Sequence, residues 1–182
     1  MQTEPPRGCR CVVGHVEEVA EVADEHVVTV LAITIRELQR NVTTDPLHLV
    51  AEEEVRLRLV SSKTTLLGLV KHVSCVEGVW FDQAVTGRTS IEAGIASTPD
   101  RSFTITASDT IASVQASYRR RCEASRRTMA DLGLDVRVSG RGDRPVWALQ
   151  IQVLRELAQH TGHADILREQ VLALRNQQRP DK

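Results

Sequence analysis

Apolar residues recur with a helical period along most of the chain, and four segments carry the pattern. The last is the clearest. With Leu149 set to zero and roughly 100° per residue, Val153 falls near +40°, Glu156 near −20°, His160 near +20°, His163 near −40° and Leu167 near zero. Two histidines and a glutamate therefore share the stripe that Leu149, Val153 and Leu167 should bury. Asp165 and Arg168 project off it. The second segment has the same character, since His72 shares a face with Leu69, Val73, Val76 and Trp80.

The boundaries follow from caps and breakers. A first helix is expected over about 19–41, with Val22, Val27, Val30, Leu31 and Leu38 on its apolar side, although its β-branched run suits a helix poorly. Asp45-Pro46 ends it, and a short polar helix or turn is expected around 47–59. The second helix starts behind the hydroxyls of Ser61, Ser62 and Thr64, runs to about Val85 and stops at Gly87. A long loop rich in Ser, Thr, Gly and Pro covers 87–107, with a short extended piece at 103–105. The third helix starts near Ser108-Asp109 and continues through Ile111, Val114, Tyr118, Cys122 and Met129. Gly133, Gly140 and Gly142 then break the chain. Pro145 stands where a first helical residue belongs, and the fourth helix runs to about Arg175. Residues 1–18 read as a flexible leader, 19–175 as the domain and 176–182 as a polar tail. The fold expected is all-α: an antiparallel four-helix bundle with a long loop between its second and third helices.

Composition narrows the function classes. At 182 residues, 41% hydrophobic and 26% charged, the chain suits one globular domain that buries its own core. A net charge of −1 gives no electrostatic footprint for nucleic acid. Only Lys63, Lys71 and Lys182 are lysines, a skew toward arginine that suggests GC-rich coding rather than function. The longest apolar run, Val27 to Ile35, is far below the roughly 20 residues that a bilayer helix needs. Nor does the N-terminus have the apolar core of a signal peptide. A cytoplasmic location is expected, with Cys9, Cys11, Cys75 and Cys122 as thiols. There is no Ser/His/Asp triad and no phosphate-cradling glycine loop.

The inward polar groups carry the chemistry. An ionised carboxylate in a core costs several kcal/mol unless paired or coordinated. Two helices that each turn imidazole or carboxylate inward are how a bundle builds a metal centre. Such donors suit zinc, nickel, iron or manganese. The plainer readings stand beside this one. A lone inward histidine is usually a hydrogen-bonded core residue, and Glu156/His160 is also an ordinary i, i+4 helix pair. Cys9, Cys11 and His15 lack the spacing of a four-ligand site. Cys75, one turn beyond His72, is either near the pocket or a small core residue. His26 reads as packing, His48 as surface, and Arg141-Gly142-Asp143 as a turn.

The segment Thr64-Thr65-Leu66-Leu67-Gly68-Leu69-Val70-Lys71-His72-Val73, with Glu77 and Trp80-Phe81, resembles the second helix of the DinB-like (YfiT-like) superfamily. Its nearest likeness is to the actinobacterial branch catalogued as a domain of unknown function and sometimes labelled mini-circle protein. Glu156 to Glu169 is similar to that branch's closing signature, and Tyr118-Arg119 with Cys122 to Arg126 is similar to its third helix. The likeness covers about 24–174. It implies an antiparallel four-helix bundle around a divalent metal, zinc or nickel first, held by His72, Glu156 and His160. Glu156 takes a position that is commonly histidine, and Gln152 stands where the branch often has histidine. The resemblance leaves His163 open as acid/base or as support for a ligand. It also implies a thiol-dependent transferase or isomerase that uses a low-molecular-weight thiol such as mycothiol or bacillithiol on a small electrophile.

Three functions follow for testing: a metal- and thiol-dependent transferase, isomerase or hydrolase; a bundle that binds metal or ligand without turnover, as a stress protein would; and a purely structural bundle. A small-molecule substrate is the expected partner, with neither nucleic acid nor membrane. Homodimerisation through a second apolar face is compatible with such a bundle.

Overall fold

A computed structural model describes residues 29–177, which are mostly helical. Four long helices are joined by connections of unequal length: α1 (29–44), α2 (Leu66–Gly78), α3 (Ile111–Met129) and α4 (Val146–Gln177). Expectations for 19–28, including His26, and for Cys9, Cys11 and His15 fall outside the described residues.

α1 forms despite its β-branched residues because Ile35 and Val42 are buried in the core and Gln39 and Thr43 are buried beside them. It runs to residue 44, three beyond the expected end. The connection that follows contains one 3₁₀ turn, Glu54–Arg56, with Val55 fully buried. Arg175 near the end of α4 holds this connection by pairing with Glu54 and donating to the Leu49 carbonyl at 2.8 Å.

α2 is the central helix and packs against both α3 and α4. Thr65 caps it, its hydroxyl accepting from the Gly68 N–H at 3.0 Å, so the cap lies one residue past the expected hydroxyls. Leu66, Leu67, Leu69, Val70 and Val73 enter the core. The helix continues through a π turn, Val79–Gln83, and a last turn, Ala84–Thr86, to Gly87. The segment after it contains a helical turn, Pro99–Ser102, where a plain loop was expected, and Phe103–Ile105 is not a strand. This turn approaches α2 so closely that a Cβ on Gly68 would sit 2.8 Å from the Phe103 carbonyl oxygen. Glycine at 68 thus lets the turn lie against the helix.

Thr110 caps α3 through a reciprocal box with Ser113, in place of the expected Ser108-Asp109. Asp109 instead accepts from Lys71 and from Thr106. Pro145 is not the first residue of α4. It lies in a two-stranded antiparallel ladder, Arg137–Val138 with Arg144–Pro145, that was not foreseen. The bend of this ladder docks on the end of α2, where the Gly140 N–H donates to the Ala84 carbonyl at 3.0 Å. Tyr118 of α3 and Leu149, Val153 and Leu157 of α4 complete the core. Among the described residues no helix is long and apolar enough to cross a membrane.

Candidate metal centre

α2 supplies His72, and α4 supplies Glu156 and His160 one turn apart. Each offers one donor atom, and the three atoms lie within 4.8 Å of one another. The two imidazoles meet edge to face, with centroids 4.6 Å apart at 81°. Glu156 Oε2 is 3.4 Å from His160 Nε2. Both histidines are buried and Glu156 is half-buried, so the group lies where α2 and α4 pack together, as the helical projections predict.

Neighbouring groups orient each donor. Ser102 Oγ donates to the Pro99 carbonyl, which commits its proton. Oγ must then accept from His72 Nδ1, 2.7 Å away. In that arrangement His72 carries its proton on Nδ1 and a lone pair on Nε2. Phe103 stacks on the same ring at 4.0 Å and 12°. On the other helix, Gln152 Nε2 donates to Glu156 Oε1 at 2.8 Å, while Arg155 donates to Gln152 Oε1 at 2.8 Å. One carboxylate oxygen is thereby held and the other left toward His160.

Electrostatics favour neutral imidazoles. Burial pushes His72 down to about 4, and the neighbouring His160 pushes the same way. Burial lowers His160 as well, opposed by the Glu156 carboxylate and assisted by His163. Neutral nitrogens beside a carboxylate are the donor set of a borderline divalent ion. His160 Nδ1 is buried without a hydrogen-bond partner, a cost that a closed, self-satisfied core would avoid. The residues present thus fit a divalent metal.

The other candidates lie elsewhere. His163 is exposed, a correction to its place on the buried stripe; its ring centroid is 5.6 Å from that of His160. At the edge of a stripe, a small rotation turns a side chain outward. With Thr64 and Leu167, His163 lines a separate recess of about 250 Å³. Cys75 does not join the group, and burial pushes its thiol up. His48 is exposed, as expected. Trp80 is half-buried beneath the guanidinium groups of Arg141 and Arg144. Ser102, Phe103 and the hold of Gln152 on Glu156 were not identified from sequence. Thr98-Pro99 is a helix-start signature that marks the turn carrying the first two.

A helical protein whose central and last helices bring two imidazoles and a carboxylate together has the form of the DinB-like superfamily. The chain belongs to the mycothiol-S-transferase family, whose model matches residues 33–173. Comparison with curated proteins and with solved structures gives no significant match.

Proposed function

We propose that the protein is a metal-dependent transferase that joins a low-molecular-weight thiol of the mycothiol type to a small electrophile. The observation that carries this reading is the approach of His72, Glu156 and His160 to within 4.8 Å in a chain of this family. The proposed frame is an antiparallel four-helix bundle. His72 presents Nε2 and Glu156 presents Oε2, with His160 completing a two-histidine, one-carboxylate set; zinc or nickel is the preferred ion, then iron or manganese. The chemistry such an ion supplies is acidity, which makes an entering thiol a nucleophile at neutral pH.

The chain's own residues divide the remaining work. Ser102 keeps the His72 proton on the far side of the ring. Gln152 holds Glu156 so that one oxygen stays available. Phe103 covers the His72 ring and keeps water from it. In this reading His163, exposed and with its ring 5.6 Å from that of His160, takes up or delivers a proton as the thiol enters. The partner is a small molecule. The protein acts in the cytoplasm, away from nucleic acid and membrane, and a homodimer is the proposed assembly.

Elemental analysis of purified protein should show about one divalent ion per chain, and His72→Ala and His160→Ala should lose it. Wild-type metal content in both variants would overturn the site. Loaded protein should couple a small thiol to an electrophile such as chlorodinitrobenzene faster than free metal does. Retention of metal without turnover across a panel of thiols and electrophiles would leave a binding protein.

A further inference from the structure

A cavity of about 510 Å³ lies between α2, α3 and the connection that joins them. None of His72, Glu156 or His160 lines it. Its volume is in the range of small-molecule sites. Three cations border it, Lys71, Arg101 and Arg121, against one carboxylate, Asp109. Lys71 is paired with Asp109 at 2.8 Å. Arg121 donates to the Ala93 carbonyl at 2.6 Å and reaches Asp82 at 3.4 Å. Arg101 has only a long contact of 3.5 Å to Ser97 Oγ among the described residues. The cavity therefore has a surplus of positive charge, with Arg101 as its uncommitted member.

Its walls are rich in hydroxyls. Ser74 on α2, Ser117 on α3 and Thr104 on the connection all line it, and none uses its hydroxyl in a hydrogen bond among the described residues. Helical serines commonly turn back on their own carbonyls. These two do not. Cys75 also lines the space, half-buried, and burial raises its thiol, so its alkylation is slow enough for a change on ligand binding to be followed. Ser102 separates the two regions: it lines this cavity while bonding the far side of His72.

We propose that this cavity binds a small hydroxylated anion, a polyol bearing one carboxylate or phosphate, at a site distinct from the metal centre. Arg101 receives the anionic group at the mouth, and the hydroxyls of Ser74, Thr104 and Ser117 receive those of the ligand. The site does not depend on the metal reading.

The test titrates the full-length protein with gluconate, glycerol 3-phosphate and glucose, following heat of binding and peptide-level alkylation of Cys75 by N-ethylmaleimide. At least one anion should bind saturably and slow Cys75 modification, with glucose at least about tenfold weaker. The anion that binds identifies carboxylate or phosphate as the group recognised. Arg101→Glu and Ser117→Phe, both at exposed positions, should each weaken that binding about tenfold or more while melting like wild type. Failure of both anions to bind at millimolar concentration, equal binding of glucose, or binding without protection of Cys75 would overturn the proposal.

Discussion

Ser102 donates a hydrogen bond to the Pro99 carbonyl and accepts one from His72 Nδ1–H, so one hydroxyl selects the nitrogen that faces the centre. Ser102→Ala should lower metal affinity by about tenfold with the ligands intact, read by competition against a chromogenic chelator. His72 has a further consequence in the metal-free protein. Its folded value near 4 lies below the ordinary 6.5, so above 6.5 both folded and unfolded chains hold it neutral. As pH falls from 6.5 to 4 the unfolded chain takes the proton first, and stability drops. Urea titrations of chelated protein at pH 7 and 5 should show this drop, and His72→Gln should reduce it. Glu77 behaves oppositely. It is fully buried, Gln39 donates to one oxygen and the other has no partner, and burial raises its carboxyl above the usual 4.5. Its contribution is complete below that value and declines as pH rises toward the folded one. Glu77→Gln keeps an acceptor for Gln39 and should gain stability over wild type between pH 5 and 8. The candidate trio was legible because burial of one face and a 3.6-residue period place those side chains inward. Ser102 was not, because a serine in a Ser/Thr-rich segment has no periodicity to mark it.

Two substitutions separate helix stability from site geometry. Thr110→Ala removes the cap of α3 and should cost about 1 kcal/mol, with metal affinity unchanged. Gly68→Ala forces a methyl against the Phe103 carbonyl and should cost about 1–3 kcal/mol. Because the same turn holds Ser102 and Phe103, it should also weaken metal binding; an unaltered affinity would show that the turn does not position His72. Helices α2, α3 and α4 were readable from apolar spacing, and the stop after α2 from Gly87, whereas the capping hydroxyls of Thr65 and Thr110 lie one or two residues past the expected ones. The Arg137–Val138 ladder was not, since two residues per strand are too short for a period to register. Pro145 fits both a helix start and an edge strand, because either place leaves its missing N–H without penalty. Tertiary burial of Ile35 and Val42 overrode the strand-like composition of α1.

Across the whole molecule, the trio exists only when α4 docks on α2. An ion that holds both helices should therefore stabilise the folded chain, by about 2.7 kcal/mol when free metal is 100 times its dissociation constant. Calorimetry with and without chelator should show the difference in wild type and none in His160→Ala. The family assignment rests on sequence running through most of the chain, whereas the segment joining α2 to α3 offered composition but no shape. That segment is anchored where Arg121 grips the Ala93 carbonyl, and further along it carries the serine that bonds His72. If His72 holds the proposed ion, its electron-donating strength is set from a connector outside the long helices. A descendant chain could keep every first-contact ligand, rewrite only this connector, and acquire an ion of different reactivity, which makes the least regular stretch of the molecule its most economical route to new chemistry.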